Sequence, residues 1–109
     1  MSSPASPALA GITVVDMTRV LAGPFANMVL RDLGAEIIKV EAPGLGDPAR
    51  LLGKPYRGEA PATRRWNRGK RSLTLDLRAP EGAAVFRELV RCSDAVIEGM
   101  RPGSLARRG

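Results

Sequence analysis

Two short apolar runs, separated by one amphipathic segment, constrain the fold of this chain more than any other feature. Residues 12–15 (ITVV) and 37–40 (IIKV) are rich in β-branched side chains, as expected of parallel strands buried on both faces. Between them, apolar residues recur at helical spacing over 25–33, after Pro24 and before Gly34. The order strand, helix, strand predicts a βαβ unit.

The second half of the chain continues this alternation. Residues 72–77 alternate in polarity and predict a third strand, and residues 95–97 predict a fourth. Pro80 and Glu81 suit the first turn of a helix between the third and fourth strands. The first N–H groups of a helix have no partner, so a proline costs nothing there, and the helix dipole attracts the carboxylate of Glu81. Ser104 is the predicted cap of a last helix. We therefore predict an α/β fold, a partial Rossmann-like parallel sheet of βαβ units with right-handed crossovers.

Three segments depart from this pattern. Residues 16–23 are predicted to be a loop capped by Asp16. Residues 42–69 contain many Gly, Pro and Arg residues without a period, apart from one helical turn predicted near 63–66, and long loops of this kind are often functional. Residues 1–10 are rich in Ser, Pro and Ala and predict a disordered tail, so the domain is expected to occupy residues 11–109.

Composition excludes several classes of protein. The chain has 109 residues and a net charge of +6, which suits binding of nucleic acid, an anionic membrane or a phosphorylated small molecule. A single cysteine excludes an internal disulfide, and the absence of histidine removes the commonest metal ligand. No apolar run approaches the roughly 20 residues of a membrane span, and no signal peptide is evident. We expect a cytoplasmic protein with no membrane partner, no metal and no covalently bound cofactor.

Three stretches carry a resemblance to a known family. They are residues 18–25 (TRVLAGPF) with 32–41 (DLGAEIIKVE), residues 67–77 (NRGKRSLTLDL) and residues 94–103 (DAVIEGMRPG). In this order and at these distances they resemble the opening of class III CoA-transferases, which include formyl-CoA and carnitine-CoA transferases and have α-methylacyl-CoA racemase as a relative. The resemblance covers about residues 9–109. It implies the N-terminal part of a CoA-transferase class III domain, with acyl-CoA and a carboxylic acid as substrates.

The parallel direction of the predicted strands indicates where such a domain would bind CoA. Ligands of open α/β sheets bind beyond the carboxyl ends of the strands. The segments at 21–22, 76–77 and 99–101 follow or end the first, third and fourth predicted strands, so parallel strands would bring them to one edge. N–H groups of helix starts at this edge would favour the phosphates of CoA, and cationic side chains are expected nearby.

The resemblance assigns CoA contacts residue by residue. The loop near the thiol end and active site corresponds to Leu21 and Ala22, and the strand end along the nucleotide corresponds to the segment from Leu75 to Arg78. Arg101 and Arg107 are the expected cations, and Arg107 matches a CoA-binding arginine of the family. The full set of expected CoA-binding residues is Leu21, Ala22, Leu75, Asp76, Leu77, Arg78, Gly99, Met100, Arg101 and Arg107.

The chain departs from formyl-CoA transferase at several of these positions. Leu21 replaces a glutamine, which bears on substrate choice. Ala42 stands where that enzyme has a CoA-binding arginine. Gly99 and Met100 replace an Asn-Phe pair, so contacts there would come from backbone groups and from Arg101.

Other polar and apolar residues have predicted structural roles. The basic stretch 67–71 is expected to form an exposed turn, with a ligand contact by Lys70 or Arg71 as the alternative. Trp66 is expected to be a packing anchor, and Cys92 a buried or half-buried apolar residue.

The resemblance also concerns the reaction. In the family, an aspartate attacks the acyl-CoA thioester to give a mixed anhydride and CoA thiolate. The thiolate then attacks the anhydride and releases the donor acid, and the resulting enzyme thioester reacts with the acceptor acid. None of the 11 acidic residues of this chain matches that aspartate, which is expected beyond Gly109. We therefore expect a truncated, CoA-binding piece that is inactive by itself. The resemblance implies an interlocked homodimer for full-length members.

Three other functions remain open. An acyl-CoA racemase of the same superfamily would share this N-terminal architecture and CoA site. A small basic nucleic-acid-binding module is compatible with the charge, but aromatic residues make up only 4% of the chain and no groove-reading motif is present. We therefore do not expect a nucleic-acid partner. A CoA-binding or oligomerisation piece without turnover differs from the transferase only in activity.

Overall fold

The structure, a computed structural model, describes residues 3–109, so the part of the predicted tail at Met1 and Ser2 lies outside the described residues. The four strands are β1 (Thr13–Met17), β2 (Glu36–Glu41), β3 (Arg71–Thr74) and β4 (Ala95–Glu98). The helices are α1 (Ala22–Asp32), α2 (Pro61–Trp66) and α3 (Pro80–Arg91), with 3-10 turns at Pro48–Leu51 and Ala106–Arg108.

The strands form one sheet in the order β3-β2-β1-β4, and every neighbouring pair is parallel. Val15 lies opposite Ile38 on one side and Val96 on the other. All four carboxyl ends therefore meet at one edge of the sheet. This arrangement confirms the predicted α/β fold with a parallel sheet.

Apolar side chains cover both faces of the sheet because successive strand residues point in opposite directions. Val15 and Val40 belong to one buried cluster, which Phe86 of α3 completes. Val14 and Ile37 belong to a second cluster, against which Leu30 of α1 packs. The helices therefore cover opposite faces and leave the strand edge between them for a ligand.

Long-range pairing moved several predicted boundaries. Asp16 and Met17 were expected in a loop, but they extend β1 because they pair with Ile97 and Glu98 of β4. β3 ends at Thr74, short of the predicted end at residue 77, because its partner β2 ends at Glu41. The helical turn predicted near 63–66 is confirmed as α2, and the segment 42–69 also contains the first 3-10 turn, which was not predicted.

Single residues give mixed outcomes. Gly34 follows α1 with a φ of +106°, which confirms the predicted helix end. Cys92 is exposed, so its predicted burial is wrong. Ser104 does not cap the last 3-10 turn, whose N-cap residue is Leu105. Leu9 donates its N–H to the Leu33 carbonyl at 2.9 Å, so this part of the predicted tail contacts the domain.

Across residues 3–109, each helix is too short or too polar to cross a bilayer.

Candidate functional site

A cleft of about 290 Å³ opens where β1, β2 and β3 end, and we call it the central cleft. Its floor comes from strand ends, and its walls come from the loops that follow them. The lining residues are Met17, Thr18, Arg19, Val40, Glu41, Ala42, Gly46, Asp47, Asp76, Leu77, Arg78, Met100 and Arg108.

The acids that line the central cleft all have partners. Arg50 donates to both oxygens of Glu41, at 2.9 and 2.6 Å, and this holds the pKa of Glu41 below its ordinary value against the opposing effect of burial. Arg78 donates to Asp76 at 3.0 Å from Nε and likewise lowers the pKa of Asp76. Within residues 3–109, the guanidinium groups of Arg19 and Arg108 form no hydrogen bond or ion pair. The uncommitted charge of the cleft is therefore positive.

A second cleft, of about 570 Å³, lies where β1 and β4 end, and we call it the switch-point cleft. The strand order reverses here, because the chain passes from β1 through β2 to β3 and then returns to β4 on the other side of β1. In open α/β sheets, ligands bind at such a point. The lining residues are Met17, Thr18, Arg19, Val20, Ala22, Gly23, Pro48, Ile97, Glu98 and Gly99.

The two clefts meet at the end of β1, where Met17 and the loop residues Thr18 and Arg19 line both. The clefts therefore lie side by side at the carboxyl edge of the sheet.

Buried charged side chains form hydrogen bonds with the backbone of the loop after β1. Asp47 accepts hydrogen bonds from the N–H groups of Val20 and Ala49, both at 2.9 Å, and from Lys39 Nζ at 2.8 Å. Lys39 Nζ also donates to the Thr18 carbonyl at 3.2 Å. Burial raises the pKa of Asp47, but the bonds from Lys39 and the two N–H groups outweigh this effect and lower it overall. The same carboxylate thus joins the loop after β1 to the loop after β2.

A second buried pair joins the loop to the segment before β3. Lys70 Nζ donates to Asp16 Oδ2 at 2.9 Å, to the Pro24 carbonyl at 3.0 Å and to Asn67 Oδ1 at 3.1 Å. Burial lowers the pKa of Lys70, and the hydrogen bond to Asp16 opposes this shift. Because an ammonium group has three donors, none remains for a ligand. The predicted exposed turn is therefore wrong for Lys70, while Arg71 is exposed and pairs with Glu36.

The predicted cap is confirmed at Asp16. Its Oδ1 accepts from the backbone N–H of Thr18 at 2.8 Å and also from the Thr18 hydroxyl. Asp16 therefore serves both as a turn residue and as the counter-ion of Lys70.

The structure brings some expected CoA-binding residues together. Asp76, Leu77, Arg78 and Met100 line the central cleft. Ala22 and Gly99 line the switch-point cleft. These six residues remain predictions, now with a common location at the carboxyl edge.

Other expected residues lie outside the lining of both clefts. Leu21 is half exposed at the start of α1. Leu75 packs on the core beneath and donates its N–H to the Glu41 carbonyl at 3.0 Å. Arg101 is exposed after β4, and exposed Arg107 donates to Ser104 Oγ at 3.2 Å. The next residue, Arg108, lines the central cleft instead.

Sequence reasoning missed the polar residues beneath the edge. Lys39 offered one signal, since it is a charge inside an otherwise apolar strand run. Arg19 lies in the loop that the pattern already placed at the ligand edge. Asp47 offered no signal in the sequence, because it lies in a Gly- and Pro-rich stretch without a period.

The fold and its edge define an α/β domain with a cationic cleft at the carboxyl ends of parallel strands. A sequence model of CoA-transferase family III matches residues 9–109, so the chain belongs to this family.

Named relatives agree with this membership. The chain is 46% identical to a succinate–glutarate CoA-transferase of Agrobacterium fabrum over 94% of its own length and 28% of that protein. It is 45% identical to human succinyl-CoA:glutarate CoA-transferase over 93% of its own length and 23% of that protein. It thus spans about a quarter of these relatives.

A solved structure shows the same fold. The crystal structure of a hypothetical protein from Mycobacterium tuberculosis superposes with a TM-score of 0.86 and 44% identity, covering 98% of this chain and 29% of that one.

Proposed function

We propose that this chain forms part of the CoA site of a CoA-transferase that moves CoA between an acyl-CoA donor and a carboxylic acid acceptor. Family membership over residues 9–109 supports this proposal. The observation that carries it is the central cleft, whose acids are paired while the guanidinium of Arg108 forms no hydrogen bond or ion pair within residues 3–109. Phosphate groups of CoA are the natural anions for such a cleft.

The two clefts suggest a division of the ligand. The central cleft, with Arg78 and Arg108 at its wall, suits the phosphorylated nucleotide end. The switch-point cleft, beside Ala22 and Gly99, suits the thiol end and the acyl group. The catalytic aspartate expected from the family has no counterpart among the acidic residues of this chain, so we expect binding without turnover from the 109 residues.

The relatives' names favour transfer over racemisation, since both are called CoA-transferases of dicarboxylic acids. The interlocked homodimer and the cytoplasmic location remain predictions. A nucleic-acid partner gains no support from the clefts, which are concave and of small-molecule size.

Calorimetric titration of the 109-residue chain with CoA tests the proposal. We expect binding that weakens for dephospho-CoA, and about tenfold weaker CoA binding by Arg108→Gln, because a charge-assisted contact to phosphate is lost. Arg65→Gln is the matched control, since Arg65 is exposed on α2, outside the lining of both clefts. Arg107→Gln shows which of the two neighbouring arginines contacts CoA.

Absence of CoA binding by the unaltered chain would overturn the proposal, as would equal weakening by Arg108→Gln and Arg65→Gln. A coupled assay with succinyl-CoA and glutarate addresses turnover, and product formation above background would contradict the expected inactivity.

A further inference from the structure

Arg19 occupies the junction of the two clefts. Its exposed guanidinium forms no hydrogen bond or ion pair with any residue in 3–109. It lines both the central and the switch-point cleft, which is true of no other cationic residue in their linings.

The backbone on both sides of Arg19 is held in place. The Thr18 N–H donates to Asp16, and the Thr18 carbonyl accepts from Lys39. On the other side, the Val20 N–H donates to Asp47 at 2.9 Å, with Val20 at a φ of +71°. A β-branched residue rarely adopts this left-handed conformation, so the surrounding bonds must enforce it. Arg19 is thus a free cation on a fixed backbone, the arrangement that positions a side chain for a ligand.

The charged side chains of the switch-point cleft indicate which ligand groups it can hold. Arg19 and Glu98 are the charged residues in its lining. Glu98 accepts the N–H of Met100 at 2.6 Å, so its carboxylate is engaged with the backbone at the end of β4. The guanidinium of Arg19 is the cationic group of this lining, and its planar donors match a carboxylate.

We propose that Arg19 binds the free carboxylate of a dicarboxylic acyl group, and so determines specificity for dicarboxylic over monocarboxylic substrates. This inference rests on the proposed CoA-transferase function. A dicarboxylic acid joined to CoA through one carboxyl group keeps the other as an anion. That anion would enter the switch-point cleft ahead of the thiol end and would meet Arg19 there.

The test compares two non-hydrolysable thioether analogues of CoA of equal chain length. One ends in a carboxylate, and the other ends in a methyl group. Calorimetric titration of the 109-residue chain should show at least tenfold tighter binding of the carboxylate analogue. Arg19→Gln should bring this ratio close to one while leaving the affinity for the methyl analogue within about twofold. Arg19→Lys should keep part of the preference, because it retains the charge but loses the planar donors.

The outcomes separate this inference from the function on which it depends. Failure of the unaltered chain to bind either analogue would overturn both. Binding of both analogues with no preference, or a preference that survives Arg19→Gln, would overturn the role of Arg19 alone. Equal weakening of both analogues by Arg19→Gln would also overturn it, since Arg19 would then contact CoA itself. Arg65→Gln, which lowers the net charge by the same amount, should change neither affinity.

Discussion

At the scale of single residues, buried polar groups distinguish the ligand edge of this protein. Asp16 and Asp47 are almost fully buried, yet each accepts several hydrogen bonds and faces a lysine. Burying a charge is costly unless it is paired and hydrogen-bonded. Because both pairs hold the backbone of residues 18–20, their main effect is to fix the conformation of the loop that both clefts share.

Lys70→Met should destabilise the fold by about 3 kcal/mol or more, because it leaves the Asp16 carboxylate buried without its cation. Urea unfolding followed by circular dichroism measures the change. Arg71→Met is the matched control, since Arg71 pairs with Glu36 at the surface and should cost less than about 1 kcal/mol. Equal effects of the two changes would contradict a structural role for the buried pair.

The acidic side of the pH–stability profile should depend on Glu41. Its pKa is lower in the folded protein than the ordinary value of 4.5, chiefly because of Arg50. A carboxylate with a lowered pKa stabilises fully above its unfolded value, and this contribution is lost as the pH falls through the folded value. The free energy of unfolding should therefore decrease as the pH is lowered below about 4.5.

Glu41→Gln should flatten this acidic slope, as measured by urea midpoints at neutral pH and at a series of acidic values. Asp47, whose pKa is also lowered, should leave part of the slope in place. Glu81→Gln is the control, because Glu81 is exposed and forms no ion pair within residues 3–109. An unchanged slope in Glu41→Gln would contradict this assignment.

At the scale of elements, the tight turn between β3 and α3 shapes the central cleft. Gly82 lies in the first turn of α3, and a Cβ at this position would lie 2.1 Å from the Asp76 carbonyl oxygen. The turn from Asp76 into α3 can be this tight only because Gly82 has no side chain. This contact also places the segment from Asp76 to Arg78 at the cleft wall.

Gly82→Ala should therefore destabilise the fold by about 1–3 kcal/mol, the usual range for overpacking. In a helix with free space at this position, the same change would stabilise the fold by up to about 1 kcal/mol. The sign of the change in unfolding free energy therefore distinguishes the two cases. Thermal unfolding measures it. Gly99→Ala is the comparison, since a Cβ there meets nothing within 4 Å, and it should be close to neutral. Stabilisation by Gly82→Ala would contradict the close contact between Gly82 and the Asp76 carbonyl.

At the scale of the whole molecule, the 109 residues leave apolar surface and sheet edges uncovered. β3 and β4 are the two edge strands, each paired on one side only within residues 3–109. Large apolar side chains such as Leu51, Tyr56 and Val85 are half exposed or more. Exposed edges and apolar surface favour association.

We expect the 109-residue chain to self-associate with rising concentration. Sedimentation equilibrium should give an average mass above the 11.6 kDa of one chain. Unfolding should depend on protein concentration, because association stabilises the folded state. A monomer at all concentrations with one sharp, concentration-independent transition would contradict this expectation.

Local patterns were sufficient for the elements but not for their ends. The runs at 12–15 and 37–40 and the helical spacing before Gly34 lie within contiguous sequence, so each predicted its element. The last residues of β1 and β3 depend on where a neighbouring strand stops, and that neighbour is distant in the chain.

The sequence by itself determined the α/β alternation, the family resemblance and the edge of the sheet at which a ligand would bind. Only the tertiary structure decided which charges are buried and which are free. Asp16 and Lys70 are 54 positions apart, and Val20 and Asp47 are 27 apart, so no local period could pair them. The environment of an ionisable group is set by residues that folding brings together. For this reason Lys70 proved to be buried, while Arg19 has no hydrogen-bond or ion-pair partner among residues 3–109.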